Sequence, residues 1–344
     1  SGSFSLPTGS WQQISLPCQM GISTSAAAQE VFSDLDGTYG TDWSMYKWDH
    51  SDGGYSLVGA TEPLEEGRGY WIRTTLANQS AAVGGEYNSQ VDVLLDADET
   101  SGAWNMVGNP FRYQINWADV AVIDTDGSVL SLDDADPVAG ATRACDAPSP
   151  GPDCLLSHTA HIWKGNAYDS YDGGTPGAEG VFDAFDGFWV KAYKPGIALR
   201  IPMPAAESSS SEVLMTEAPA EVSARSFTSE TVAPPRKKEQ STVRMLAQEG
   251  WYVRLIAESE GMRDAGNVLG QLPDSIDAPD LHDLRAHDPF ASPYLDHIFP
   301  HEDWGDHAGD YTTDFRAQHP RLQGKWAFEV HSSVPDSNVT LRWE

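Results

Sequence analysis

An internal repeat constrains the fold of this chain more than any single motif does. WQQISLP, from Trp11 to Pro17, and WNMVGNP, from Trp104 to Pro110, both place Trp six residues before Pro. A short helical segment is expected after each: AAAQEVF led by a Ser-Thr-Ser cap in the first copy, and WADV led by Asn116 in the second. A Trp–Tyr pair across turn residues follows, Trp48 with Tyr55 and Trp163 with Tyr168, which reads as a hairpin in each copy. Each copy then reaches a strand of one pattern, GYWIR from Gly69 and GFWVK from Gly187. VDVLL near Val91 and IALRIP from Ile197 are expected to close the two units.

These features divide the chain into a β-rich module over 1–98 and a second over 99–204. The second holds about twenty extra residues before its hairpin, including a Cys-bracketed loop. Residues 205–240 are rich in Ser, Glu, Ala and Pro and read as a linker. Over 241–344 the alternation returns. VRMLAQEGWYVRLIAES alternates across a Gly turn, and KWAFEVHSS with NVTLRWE is expected to form a second hairpin. The fold class is therefore mainly β: two tandem related β-rich repeats followed by a C-terminal β-sandwich.

Composition narrows the function. Of 344 residues 40% are hydrophobic and 12 are Trp, enough anchoring side chains for sizeable cores. A net charge of -30 disfavours nucleic acid and anionic lipid as partners. It suits plain solubility, a surface hydrated in high salt, or one that collects divalent cations. No apolar run is long enough to span a bilayer. SGSFSLPTGSW at the start has neither the basic nor the apolar region of a signal peptide, and NVTLRWE at the end alternates like a strand with no turn after it. Both fit a processed export product or a piece of a larger parent.

Cys145 and Cys154 bracket CDAPSPGPDC, a Pro/Gly loop whose closure by a disulfide implies an oxidising compartment. Cys18, beside Pro17 in an apolar stretch, is expected to be a free buried thiol.

The Trp-to-Pro openings, WNMVGNPF, and the GYWIR and GFWVK strands resemble repeats in large secreted proteins of the Bacteroidota and their relatives. The third region, with GWYVRLIAES, DAGNVLGQLPDSIDAPDLHD, YLDHIFPHEDW and WAFEV with VTLRW, resembles a β module near the C-termini of such proteins, ahead of a type IX secretion sorting domain. The resemblance implies export to the cell surface or beyond. It also implies modules that act as spacers, assembly elements or accessory regions, and it carries no assigned chemistry.

Several clusters invite a site. Asp264, Asn267, Asp274, Asp277, Asp280 and Asp283 crowd one region with hard oxygen donors and are a candidate Ca²⁺ set. The loop from Asp34 to Asp42 has similar oxygen density but not EF-hand spacing, and reads as a polar turn. Asp124 to Gly127 is a hairpin turn. His282, His287, His297, His301, His307 and His319 show no paired helical spacing for zinc. Trp11, Trp71, Trp104 and Trp189 recur in apolar strands and are expected in the core. Trp43, Trp48 and Trp163, next to polar turns, are the candidates for exposed sugar-stacking platforms.

No nucleophile elbow, phosphate loop or dinucleotide fingerprint occurs. The reading is a non-catalytic extracellular structural or adhesive module. Its partners would be other modules or copies of itself at the cell surface. A carbohydrate-binding accessory region of a secreted hydrolase, with polysaccharide as partner, and a metal-dependent enzyme stand as alternatives. Thiol titration of the denatured, unreduced chain is expected to find one free thiol, and three would remove the bridge.

Overall fold

The computed structural model describes residues 2–17, 27–83, 90–147, 150–202, 250–319 and 324–344. Cys18, the Ser-Thr-Ser cap and the 205–240 linker lie outside the described residues. Strands dominate. The first six are β1 (Gly2–Leu6), β2 (Gln12–Ser15), β3 (Trp43–Asp49), β4 (Gly54–Leu57), β5 (Gly69–Thr74) and β6 (Gln79–Val83), with helix α1 (Ala28–Val31) between β2 and β3. The second set opens with β7 (Gln90–Leu94), β8 (Ala103–Gly108), β9 (Ile115–Asn116), β10 (Ala121–Ile123) and β11 (Val129–Ser131), then helix α2 (Leu132–Ala135). It continues through β12 (Val138–Ala139), β13 (Thr142–Arg143), β14 (Ala160–Trp163), β15 (Tyr168–Tyr171), β16 (Val181–Phe182), β17 (Gly187–Ala192) and β18 (Ala198–Pro202). The third set is β19 (Trp251–Ser259), β20 (Met262–Leu272), β21 (Leu295–His301), β22 (Gly309–Tyr311), β23 (Thr313–Ala317), β24 (Glu329–Ser332) and β25 (Thr340–Trp343).

Two four-stranded antiparallel sheets have one strand order, β2-β5-β3-β4 and β8-β17-β14-β15. Their registers correspond as well. Trp71 pairs with Gln13, two residues after Trp11, and with Tyr46, two before Trp48. Trp189 pairs with Met106, two after Trp104, and with His161, two before Trp163. Trp48 faces Tyr55 and Trp163 faces Tyr168 across the two hairpins.

Side chains alternate faces along a strand, and both central strands are buried on each face. Tyr70 and Ile72 of β5 enter a core with Leu6, Met45, Ala81 and Val83 under the β1-β6 pair. Phe188 and Val190 of β17 enter a core with Val91, Val93, Val122, Leu199 and Ile201 under the sheet β11-β10-β18-β7. Trp71 and Trp189 point the other way, into a shared aromatic layer. The VDVLL strand expected to close the first unit is β7, which pairs with β18 and so lies in the second sandwich. β6 occupies the closing place of the first, paired with β1. Asn116 does not cap the turn Trp117–Asp119 through the backbone; its amide donates to the Asp119 carboxylate at 3.2 Å.

The Cys145–Cys154 disulfide is formed. Both halves are buried, and the Cys145 N–H donates to buried Asp136 at 2.8 Å, so the bridge ties its loop to the second unit. The turn at Asp124 to Gly127 joins β10 to β11 with Gly127 at φ +86.

The third set forms the sheets β23-β20-β19-β25 and β22-β21-β24, with Ala257, Met262 and Leu295 buried in one cluster. Its first described hairpin turns at Glu260 and Gly261, both at positive φ, and the strand expected ahead of Gly250 lies outside the described residues. The expected terminal hairpin is not formed. β24 pairs with β21 and β25 with β19, because the two strands close opposite sheets. Among the described residues no helix is long and apolar enough to cross a membrane.

The first two units meet through matching contacts. The N–H of Ser15, four residues after Trp11, donates to the Phe185 carbonyl at 2.8 Å. The N–H of Gly108, four after Trp104, donates to the Gly67 carbonyl at 3.0 Å. Phe185 and Gly67 each stand two residues before the Gly of the opposite central strand, and both have φ of 73°. A side chain on Gly69 would place Cβ 2.5 Å from the Val107 carbonyl oxygen, and one on Gly187 would lie 2.7 Å from that of Ile14. Neither backbone can yield without breaking the junction. Gly69→Ala and Gly187→Ala are each expected to destabilise the chain by about 1–3 kcal/mol in urea unfolding. Unchanged midpoints would show the junction to be loose.

Candidate functional site

Alternation in β5 and β17 and the two hairpins bring Trp71, Met106, Trp163, Tyr168 and Trp189 into one buried cluster, edged by Trp11, Tyr46, Trp48 and Trp104. The rings form two equivalent nests, and each is filled by one ring from a single loop of the third unit. Phe290 stacks on Trp71 at 3.8 Å and 7°, and meets Tyr55 at 4.9 Å and Trp11 at 5.9 Å edge-on. His287 stacks on Tyr168, the counterpart of Tyr55, at 4.5 Å and lies 4.7 Å from Trp104, the counterpart of Trp11. The edge contacts at these separations contribute about 0.5–1.5 kcal/mol each beyond area burial. Two residues, Asp288 and Pro289, separate the two plugs in sequence, and the loop carrying them runs ASPY with a cis Ser292–Pro293 bond into β21.

Hydrogen bonds hold the same seam. The Asn166 amide donates to the Arg263 carbonyl at 2.8 Å, and the Leu295 N–H donates to the Asn166 carbonyl at 3.1 Å. The Arg254 guanidinium donates to the Gly177 carbonyl at 2.6 Å. A Cβ on Gly266 would meet the Asp169 carboxylate at 2.6 Å, so β15 and β20 approach closely there. Electrostatics favour neutral groups along the seam. Burial pushes the imidazoles of His161 and His287 down, in His287 against the opposing pull of Asp288. Burial pushes Asp169 up, and pushes Asp264 up to about 7 against the pull of its backbone donors.

The six residues of the candidate Ca²⁺ set are placed apart in role. Asp264 and Asn267 lie inside β20, not in a loop, and both are buried. Asp264 accepts from the N–H of His297 at 2.6 Å and of Gly266 at 3.2 Å, and from the Asn267 amide at 3.0 Å. Asp280 accepts from the N–H groups of Ile276 and His282, and Asp283 from those of Asp280 and Phe315. Asp274 meets His282 at 3.2 Å, and Asp277 accepts from the N–H of Ala317. These carboxylates pin the connection after β20 to β23. Among the described residues no three His, Cys, Asp or Glu side chains gather around a cation-sized point. The loop from Asp34 to Asp42 is closed internally, with Asp42 accepting from the N–H of Thr38 at 2.7 Å.

The histidines scatter as well. His297 is fully buried, His301 stacks on Trp304 at 3.5 Å, and His319 is exposed. The His307 carbonyl accepts from the Tyr311 hydroxyl at 2.5 Å. Trp43 and Trp163, candidates for exposed platforms, are buried, and Trp48 is wedged between Tyr55 at 5.1 Å and Trp189 at 5.5 Å. Their neighbouring turns are polar, but the hairpins fold the rings inward onto the aromatic layer.

Sequence reasoning missed Phe290, and it weighed His287 only as a metal ligand and not as a packed ring. The available signal was an apolar ring flanked by Pro289 and Pro293 inside an otherwise acidic connection. A polar cleft at the junction of the first two units, lined by Lys47, Trp48, Asp49, Glu62, Arg68 and Asp96, was equally unforeseen. Lys47 and Glu62 pair within it. Comparison with protein-family models, with characterised proteins and with solved structures finds no match to this chain.

The raised Asp264 gives a signed pH dependence. Between the unfolded value near 4 and the folded value of about 7, the folded chain binds the extra proton, so stability falls as pH rises through that window. Asp264→Asn is expected to flatten this slope in chemical unfolding between pH 4 and 7. Parallel curves for the two chains would show that Asp264 ionises normally.

Proposed function

We propose that this chain is a non-catalytic structural module of a large secreted or cell-surface protein. In this reading its first two units are copies of one design, and its role is to hold a fixed spacing or to join other modules or copies of itself. The observation that carries the reading is the double aromatic cradle. Ring faces that a saccharide would need are covered by Phe290 and His287 of the same chain. Aromatic recognition is thus turned inward, to fix the third unit on the first two. The Cys145–Cys154 bridge supports an oxidising destination. Acidic side chains supplying 51 of the charges, against 21 basic ones, suit a hydrated outer surface.

A spacer must behave mechanically as one body. Calorimetry of the intact, unreduced chain is expected to show one cooperative transition. Phe290→Ala should remove about 3 kcal/mol and split off an earlier melting step. Independent melting in the unaltered chain would overturn the reading. So would saturable binding to a polysaccharide that Trp48→Ala abolishes, which would instead favour the carbohydrate-binding alternative.

A further inference from the structure

We infer that the seam is an acid-sensitive latch: His161 of the second unit and His287 of the third hold the two sides together while both rings are neutral, and protonation releases the third unit from its cradle. The inference rests on the structural reading above and adds a regulation of the same site. The two imidazoles face each other across the seam with centroids 5.2 Å apart. His161, on β14, is buried. His287 covers it from the third unit, stacked on Tyr168 and tilted over Trp104, which His161 also meets at 5.6 Å. A hydrogen-bond chain crosses at the same point. The Ser170 hydroxyl donates to the Arg285 carbonyl at 3.4 Å and lies 2.8 Å from Nδ1 of His161, so its oxygen accepts from Nδ1–H of the neutral ring.

The surroundings of the pair oppose a positive charge. Among the described residues neither imidazole is paired with a carboxylate. From β17 the Lys191 ammonium lies 5.4 Å over Trp104 and repels a charge on either histidine. Asp146, Asp98 and Arg285 act on Lys191 in turn, the two acids against the guanidinium. Asp288, beside His287 on the loop, favours its charged form, and burial outweighs it. Where β15 meets β20, Asp169 and Asp264 repel each other and burial raises both, so their protonation in acid acts in the opposite sense and strengthens docking. Undocked, the two histidines reach water and regain an ordinary pKa of about 6.5. Docked, both are held below their ordinary value, by burial first. Above the ordinary value neither state takes up a proton there, and the seam is at full strength. Below it the undocked state binds protons that the docked state refuses. Docking therefore weakens by about tenfold per pH unit for each histidine, and by about a hundredfold while both titrate.

The test follows hydrogen exchange in the intact, unreduced chain from about pH 7.5 to about pH 4.5, corrected for the intrinsic rate at each pH. The Leu295 N–H donates across the seam to the Asn166 carbonyl at 3.1 Å, so its protection measures docking. The Val268 N–H donates to the Thr312 carbonyl, also at 3.1 Å but inside the third unit, and reports whether that unit stays folded. Protection of Leu295 is expected to hold above about pH 6.5 and to fall below it by up to about a hundredfold per pH unit, while Val268 stays protected. His287→Phe keeps a ring in its nest, as Phe290 fills the other, and His161→Gln keeps a partner for Ser170. Each alone should reduce the fall to about tenfold per unit, and each is read against its own Val268. Together they should leave protection of Leu295 flat or rising in acid, where Asp169 and Asp264 still act. Protection of Leu295 that does not fall in the unaltered chain would overturn the inference, as would an equally steep fall in the double variant. Leu295 unprotected already at neutral pH would overturn the structural reading as well, because the seam would then not hold at all.

Discussion

Close backbone approach at the junction of the first two units sets the terms for everything built on it. Gly69 and Gly187 sit where each central strand touches the opening strand of the other unit, at distances that exclude a Cβ. That contact aligns β5 with β8 and β17 with β2, and it brings the outward faces of the two sheets into one continuous surface. Only then do Trp71 and Trp189, which alternate away from their own cores, fall into a common layer. A residue larger than Gly at either place would separate the sheets and open the aromatic layer to water.

The matching of the two halves is physical as well as topological. Phe185 adopts the same left-handed φ of 73° that Gly67 adopts at the equivalent place. For a residue with a side chain this conformation costs about 1–2 kcal/mol. Its persistence shows that the Ser15 to Phe185 hydrogen bond and the packing of the Phe185 ring against Phe4, at 4.8 Å, outweigh the strain. Each half thus presents one carbonyl and receives one N–H, an isologous arrangement within a single chain. Such an arrangement can be completed once only, which leaves the aromatic face above it as the surface still requiring cover.

Much of this was legible in the sequence, and the reason is local. Spacing of Trp before Pro, the Trp–Tyr hairpins and the Gly-aromatic-Trp strands are short-range signals, and strand pairing followed them. The disulfide was legible because two Cys bracket a loop only nine residues apart in sequence. What could not be read was partner choice between distant strands. VDVLL looks like a last strand by position, yet it pairs with β18 more than a hundred residues later. KWAFEVHSS and NVTLRWE look like a hairpin, yet they join separate sheets. For the acidic and amide residues of the third unit, sequence shows their density but not the backbone N–H groups that meet several of them.

The cover supplied to the aromatic face explains why its rings are so numerous. A small interface between sandwiches would ordinarily rest on aliphatic packing of modest directionality. Here two rings three positions apart enter two nests, and each nest fixes both the position and the tilt of its guest through a stack and further ring contacts. Two such points determine the orientation of the third unit, where one would leave it free to turn. Phe290 contributes burial without any titration, whereas His287 adds a group that burial holds neutral and that acid would charge inside an apolar nest. The cradle therefore joins a permanent anchor to a protonatable one, and the seam should weaken from the His287 side first as pH falls below the ordinary histidine range.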